Sequence, residues 1–186
     1  MFEQLRDCNS KNELNLTSIP LQAEHFTFIA TSIVHLKHLT FIRFHNVGMT
    51  SDSLVEICNA VKQIPNCTKL SLSDNLCKKN ASSNEISTLG IQAMAQCKKL
   101  QSLVLQVCNI NSKESIAKLA ATLTQLNNLQ ELHLYGNYLS SNFAVICDSL
   151  SSTPNLNVLD LECCSLNSND CTQLAIKIKV LNKLKY

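Results

Sequence analysis

The sequence predicts an α/β solenoid, in which short strand–turn–helix units stack side by side. The first observation is an internal repeat: one apolar pattern recurs from starts near residues 11, 39, 67, 100, 129 and 156. The second is the period of about 28 residues, which lies in the range of stacked-repeat proteins. The third is that each unit contains an alternating apolar stretch followed by a stretch with helical spacing. These observations favour one parallel sheet with helices along one side.

A strand is predicted near the beginning of each unit. If the start residue of a repeat is called offset 0, the residues at offsets 3 and 5 are apolar in all six repeats. Offset 3 holds Leu14, Ile42, Leu70, Leu103, Leu132 and Leu159, and offset 5 holds Leu16, Phe44, Leu72, Leu105, Leu134 and Leu161. Because successive strand side chains point to opposite faces, this alternation predicts a strand with one buried face.

A turn is predicted after the strand, at offset 8. The last four repeats place asparagine or cysteine there, namely Asn75, Cys108, Asn137 and Cys164. A buried side chain of this kind can form hydrogen bonds with backbone groups that the strand leaves unsatisfied. The first two repeats place Ile19 and Val47 there, which contribute only packing, so we expect those repeats to be degenerate.

A helix is predicted after each turn, over residues 23–38, 52–63, 84–97, 113–125, 142–151 and 169–180. Apolar residues recur in these segments at three- and four-residue spacing, for example Ile116, Leu119, Ala120 and Leu123. Residues 82–85 and 111–114 have the spacing of a capping box at or near two helix starts. Each unit is therefore expected to contain one strand and one helix.

The pattern Leu-x-x-Leu-x-Leu-x-x-Asn-x-Leu, clearest at residues 129–139, resembles the leucine-rich repeat. The repeat length is similar to that of the ribonuclease-inhibitor-like subclass, and the resemblance covers roughly residues 11–183. It implies a horseshoe with a parallel concave sheet and convex helices, and a binding role that usually concerns another protein. Residues 1–10 are then expected to form an N-terminal cap, and residues 184–186 to begin an incomplete repeat.

Composition narrows the function classes. The chain has 16 Lys and Arg and 14 Asp and Glu, and a net charge of +2 gives no reason to expect nucleic acid or membrane as a partner. Ten cysteines lack paired spacing, so most are expected to be buried thiols. No secretory signal is recognisable, and no apolar window approaches the roughly 20 residues of a membrane span. We therefore expect a soluble cytoplasmic protein.

The candidate binding surface consists of the side chains at offsets 2, 4 and 6, which point away from the core. Repeats 2 and 3 place a basic and aromatic group there, the basic end: Phe41, Arg43, His45 and Lys69. Repeats 5 and 6 place an acidic and aromatic group there, the acidic end: Glu131, His133, Tyr135, Asp160 and Glu162. A small, neutral saddle lies between them: Ser71, Ser73, Ser102, Val104 and Gln106. We predict that a partner protein binds across this face, and the alternative is that these are merely solvated sheet residues.

Two other surfaces are candidates for contact. The third repeat is about five residues longer than its neighbours, and its polar residues 77–84 form either a protruding binding loop or a drifted loop without a role. The edge after the sixth repeat has little polar cover, which predicts either a homodimer through that edge or a longer parent chain.

Catalysis has little support in the sequence. His133 and Asp160 share a column, but Ser102 belongs to a different one, so a Ser-His-Asp triad is not expected. His45 and His133 would lie about 15 Å apart along the sheet, too far to share a metal ion. The three glycines are scattered and form no phosphate-binding loop. We predict that the protein is not an enzyme and has no metal or cofactor.

The predicted function is a protein-interaction module whose partner the sequence does not identify. Its Asn- and Lys-rich, glycine-poor composition resembles leucine-rich-repeat effectors that intracellular bacterial pathogens deliver into the host cytoplasm. One relative of the repeat subclass activates a small GTPase, so a GTPase regulator is the alternative. A fragment of an innate-immune sensor with the same repeats is a further alternative.

Overall fold

The computed structural model describes residues 12–74, 88–179 and 181 of the 186-residue chain. Within these residues, strands and helices alternate. The strands are β1 (Glu13–Thr17), β2 (Phe41–His45), β3 (Lys69–Ser71), β4 (Ser102–Val104), β5 (Glu131–His133) and β6 (Val158–Asp160). The helices are α1 (Ala23–Ile33), α2 (Ser51–Val61), α3 (Thr88–Met94), α4 (Lys113–Leu123), α5 (Phe143–Leu150) and α6 (Ser168–Ile178). The expected N-terminal cap, the insertion at 77–84 and the segment 184–186 lie outside the described residues.

The six strands form one sheet in the order β1 to β6, and every adjacent pair is parallel. The pairing follows the predicted columns, because Leu14, Ile42, Leu70, Leu103, Leu132 and Leu159 lie side by side. The offset-3 and offset-5 side chains of repeats 1 to 5 are fully buried. The predicted strand register is therefore confirmed.

The helices pack on the buried side of the sheet. Each helix packs mainly on its neighbours in sequence, α1 on α2, α2 on α3, and so on to α6. Ile116, Leu119, Ala120 and Leu123 of α4 are all buried, as their spacing predicts. The helices end earlier than predicted, and α1 stops at Ile33 because the chain turns there towards the next strand. The turn also buries apolar residues, so helical spacing continues past the helix end.

The capping box of α4 differs from the prediction. The N-cap is Ser112, which accepts a hydrogen bond from the Ser115 N–H at 3.0 Å, while the Ser115 hydroxyl accepts one from the Ser112 N–H at 3.1 Å. The predicted segment 111–114 begins one residue too early, since Ser112 has the extended backbone of a cap and its third helical residue is Ser115. Glu114 lies in the first turn, where its negative charge interacts favourably with the helix dipole. Residues 82–85 lie outside the described residues.

The predicted turn column is confirmed in repeats 4 to 6, and Asn75 of repeat 3 lies outside the described residues. The Asn137 side chain is buried, donates to the carbonyls of Leu105 and Leu134 at 2.7 Å each, and accepts from the N–H groups of Cys108 and Ile110. The Cys164 thiol donates to the Leu134 carbonyl, and the Cys108 thiol donates to the equivalent carbonyl of Leu72. In all three repeats the offset-8 side chain forms a hydrogen bond with a backbone carbonyl of the preceding repeat.

The residue at offset 7 has a left-handed backbone in every repeat. These residues are Ser18, Asn46, Asp74, Val107, Gly136 and Cys163, with φ values between 51° and 71°. Val107, at φ 52°, is the β-branched member of the set, and β-branched residues rarely adopt this conformation. Its Cγ2 atom would lie 2.9 Å from a Cβ added to Gly136, so the glycine also leaves room for Val107.

Replacing Val107 by asparagine is expected to raise the free energy of unfolding by roughly 1 kcal/mol, because asparagine tolerates the left-handed conformation better. Urea denaturation measures the change. Asn46→Val introduces a β-branched residue at the equivalent position of repeat 2 and should have the opposite sign. An unchanged or lower stability of Val107→Asn would show that Val107 packing outweighs its backbone strain.

The cysteines are free thiols throughout the described part of the chain. Six of these eight are buried, Cys58, Cys67, Cys97, Cys108, Cys147 and Cys164, which confirms the prediction. Burial raises the pKa of the Cys67 thiol to about 12 and the pKa of the Cys147 thiol to about 11. These thiols are therefore protonated at neutral pH and act mainly as small apolar groups. No helix of the described residues is long and apolar enough to cross a membrane.

The apolar side chains of the sixth repeat are more exposed to solvent than those of the other repeats. Leu159 and Leu161 are only partly buried, whereas their counterparts in the five preceding repeats are fully buried. Leu174 of α6 is also partly buried, and Ile176 is 60% exposed. This is the edge for which the sequence predicts self-association, and the homodimer stays a prediction.

Candidate protein-binding surface

The candidate surface is the concave side of the sheet, where side chains of equal offset lie in rows across the strands. The offset-2 row is Glu13, Phe41, Lys69, Ser102, Glu131 and Val158, and the offset-4 row is Asn15, Arg43, Ser71, Val104, His133 and Asp160. The residues at offset 6 lie just past the ends of the three-residue strands. Backbone hydrogen bonds between neighbouring repeats, such as that from the Val107 N–H to the Tyr135 carbonyl, continue the same register there. The rows predicted from the repeat are therefore present.

The basic end combines Phe41, Arg43 and His45 of β2 with Lys69 of β3. The first three are half-buried and Lys69 is exposed. The Nε of Arg43 is shielded from solvent, and it has no hydrogen-bond partner among the described residues. A shielded guanidinium N–H without an acceptor is unfavourable. A negative charge that a partner places near the guanidinium would offset this cost.

His45 also has an acidic neighbour that the sequence analysis missed. Its Nδ1 lies 3.3 Å from the Asp74 Oδ2, and the two side chains are 26% and 44% exposed. The atoms are at ion-pair distance, although their alignment is not that of a hydrogen bond. Asp74 is the offset-7 residue of the next repeat. Its sequence signal is therefore a diagonal one, since it pairs with a residue of a different offset in the neighbouring repeat. Asp74 thus places a negative charge beside the basic end, whose positive charges are those of Arg43 and Lys69.

The acidic end combines Glu131, His133 and Tyr135 with Asp160 and Glu162 of the last repeat. His133 Nδ1 lies 3.5 Å from Asp160 Oδ2, and the two side chains are 26% and 27% exposed. Asp160 Oδ1 also accepts a hydrogen bond from the Glu162 N–H at 3.1 Å. Glu131 is half-buried and Glu162 is exposed. The structure therefore brings the predicted residues of this end together.

The hydroxyl of Tyr135 lies in this negative environment. The adjacent Cys163 thiol, followed by the Glu162 carboxylate, raises the pKa of Tyr135 above its ordinary value. Tyr135 therefore keeps its proton at physiological pH and can donate a hydrogen bond to a partner. Cys163 is exposed and was not among the predicted site residues; its offset-7 position, next to Glu162, is the signal that would have indicated it.

The saddle between the two ends differs from the prediction. Ser71, Ser73 and Ser102 were expected on the surface, but they are only 4%, 4% and 5% exposed. Ser71 lies between the longer Arg43 and Val104 in its row, and its hydroxyl is 3.3 Å from that of Ser73. Val104 and Gln106 are half-buried. A partner would therefore touch the longer side chains around the serines.

The arrangement does not assemble a catalytic triad. Ser102 is buried and lies beside Glu131 in the offset-2 row, whereas His133 belongs to the offset-4 row. His133 and Asp160 form the side-by-side surface pair that the register predicts. Within the residues described, no group of three or more His, Cys, Asp or Glu side chains is placed to hold a metal ion.

The chain is similar in sequence to two ribonuclease inhibitors. It is 28% identical over 158 residues to the ribonuclease inhibitor of Sus scrofa, which covers 81% of this chain and 32% of that protein. It is 29% identical over 147 residues to the ribonuclease inhibitor of Mus musculus, covering 75% of this chain and 30% of that protein. The chain thus spans about a third of the length of these curated relatives. No family model matches the chain.

A solved structure of Chaetomium Mex67:Mtr2 subunits covers 96% of this chain and 99% of its own, with 12% identity and a TM-score of 0.42. That similarity is too distant to bear on the fold or on a partner. The similarity to ribonuclease inhibitors and the six parallel strand–helix units agree on the fold. The chain is an α/β leucine-rich-repeat solenoid, and its similarity to ribonuclease inhibitors supports a protein-binding module.

Proposed function

We propose that this leucine-rich-repeat solenoid binds a partner protein across its concave face, with the basic end and the acidic end as the two anchoring regions. The observation that carries the proposal is the polarity of a single continuous surface. Arg43 and Lys69 lie on β2 and β3, whereas Glu131 and Asp160 lie on β5 and β6. From β2 to β5 the separation is about 15 Å, a distance that a folded partner bridges easily.

The chemistry of the two ends indicates what the partner presents. A carboxylate over the half-buried Arg43 side chain would pair with the guanidinium charge, for which Nε has no acceptor among the described residues. At the other end, Glu131 and Glu162 favour a lysine or arginine, and the Tyr135 hydroxyl favours an acceptor. The buried serines leave Val104 and Gln106 as the longer side chains at the centre of the face, and neither of them is charged. The partner is therefore expected to carry charges of opposite sign at two points, separated by a less polar centre.

The relatives suggest a first partner to test. Both are named as inhibitors of ribonuclease, and the aligned region covers most of this chain. A ribonuclease is therefore the first ligand for a binding assay, although this chain spans only about a third of each relative. Proteins recovered by affinity capture from a host-cell lysate are the next ligands to test in the same assay.

The double substitution of Arg43 and Tyr135 by alanine is expected to weaken binding of the partner roughly tenfold or more, because it removes one central anchor from each end. Isothermal titration with the ribonuclease, or with the captured partner, measures the loss. The matched control replaces Lys98 and Tyr138, a cation and a tyrosine that are exposed outside the sheet. It should leave affinity unchanged. Equal affinity of both double variants, with intact circular dichroism, would show that the concave face is not the binding site.

We further propose that the protein works in a reducing compartment such as the cytoplasm. The support is the set of free thiols, since Cys58 and Cys97 are buried side by side without being joined, and a hydrogen bond links the Cys97 thiol to the Cys58 carbonyl. Delivery into a host cell as an effector, regulation of a small GTPase and a role as an immune-sensor fragment stay predictions.

A further inference from the structure

A groove lies between α1 and α2, on the convex side of the solenoid and away from the concave sheet. Its volume is about 460 Å³. Ala30, Val34 and Ala60 form its apolar part, and polar side chains, Thr31 and Asn59 among them, complete the lining. Two neighbouring helices can leave such a depression where both carry alanine at the contact. The groove is wide enough for one large apolar side chain.

A carboxylate without a counter-charge borders the same groove. Glu56 of α2 lines it, and the Oε2 atom of Glu56 is shielded from solvent with no hydrogen-bond partner among the described residues. No lysine, arginine or histidine of that part of the chain lies at ion-pair distance from Glu56. An unpaired carboxylate oxygen in a shielded place is unfavourable. It would be stabilised by a cation that a ligand brings.

Lys62, which directly follows α2, does not meet this need. The Nζ of Lys62 is bonded to the Asn59 side chain at 3.0 Å and to the Gln96 side chain at 2.7 Å, and the latter contact draws it towards α3. His35 lines the groove on the side of α1, but it forms no ion pair with Glu56. The groove thus combines an apolar part with one negative charge that has no ion-pair partner among the described residues.

We propose that this groove docks a segment of a partner protein that carries a large apolar side chain next to a lysine or arginine. The apolar side chain would rest against Ala30 and Ala60, and the cation would pair with Glu56. Lysine and arginine both fit this role, because a cation in the groove is attracted by the carboxylate charge even though Oε2 itself is shielded. The site is separate from the concave face, so the protein would contact two partners, or two parts of one partner.

Peptide selection on the intact protein tests the proposal. Displayed random peptides are selected against the immobilised protein, and the recovered peptides are synthesised and titrated. Recovered sequences should contain an apolar residue adjacent to Lys or Arg. Their affinity should fall at least roughly tenfold for Glu56→Gln, which removes the charge, and for Thr31→Trp, which fills the groove.

The matched controls act at equivalent positions elsewhere on the helices. Glu114→Gln removes an exposed helical carboxylate of α4, and Thr172→Trp places the same large side chain on α6. Thr31 and Thr172 are both exposed helical threonines whose hydroxyls donate to the carbonyl four residues earlier. Both control variants should bind the selected peptides with an affinity within about twofold of that of the unaltered protein. The double variant at Arg43 and Tyr135 should also keep this affinity.

Several results would overturn the proposal. Recovery of no peptide that is sensitive to Thr31→Trp would do so, as would recovery of acidic peptides. Peptides that lose affinity only in the variant of Arg43 and Tyr135 would assign the binding to the concave face. Self-association of the protein that Thr31→Trp abolishes would assign the groove to a second copy of the chain. Thr31 is exposed and Glu56 is half-buried, so both variants are expected to fold, and denaturation curves check this.

Discussion

Alanine at position 137 is expected to lower the free energy of unfolding by about 3–5 kcal/mol. The Asn137 side chain is 1% exposed and forms four hydrogen bonds with backbone groups. Alanine would leave the N–H groups of Cys108 and Ile110 and the carbonyl of Leu105 without these partners inside the core. Each buried unsatisfied group costs roughly 1–3 kcal/mol, and partial entry of water reduces the sum.

Urea denaturation of the variant, followed by circular dichroism, measures this loss. Asn137→Cys is expected to be less damaging, because Cys108 and Cys164 occupy the same column and their thiols donate to the preceding repeat. Asn128→Ala is the control: Asn128 is exposed and its side chain donates one hydrogen bond, to the Lys98 carbonyl, so its loss should stay below about 1 kcal/mol. If Asn137→Ala costs no more than this control, the column does not stabilise the stack.

Truncation of Leu134 to alanine is expected to cost roughly 2–5 kcal/mol, because the side chain is fully buried and the stacked repeats cannot close the cavity completely. Leu134 lies in the offset-5 column, where Leu105 of the preceding repeat is also fully buried. The same denaturation series measures the effect. A cost at the low end would indicate that the less covered sixth repeat, with its partly buried Leu161, relaxes into the space.

The control for this variant is Ile176→Ala on α6. Ile176 is 60% exposed, so its truncation should cost less than about 1 kcal/mol. The two substitutions remove side chains of similar size from a buried and an exposed position. Equal costs for the two variants would contradict the register of the sheet, since the alternation of buried and exposed strand residues would then be wrong.

The register was predictable because it depends on local alternation repeated six times. Leu14, Leu70 and Leu132 have the same chemistry at the same offset, and parallel stacking places equal offsets side by side. The rows of the concave face follow directly from that stacking, so Arg43, His133 and Asp160 lie where the pattern predicts. The binding role of these residues stays a prediction, because the fold places side chains but does not identify a partner.

The remaining features depend on contacts between side chains of different offsets. The burial of Ser71 and Ser102 results from longer neighbours in adjacent strands, which a single-column pattern does not describe. The His45–Asp74 pair joins offset 6 to offset 7 of the next repeat. The left-handed backbone of Val107 is contrary to the preference of valine, so residue type gave no sign of it. These features are properties of the assembled stack.

The packing of each helix on its sequence neighbours has a consequence for how the surface can change. A one-dimensional stack couples each unit to the units before and after it, and coupling to more distant units passes only through those between. Altering the exposed residues of one repeat therefore changes one strand of the concave face, while the other strands keep their geometry. In this sense the chain is a modular recognition surface, on which affinity for a new partner can be acquired one repeat at a time.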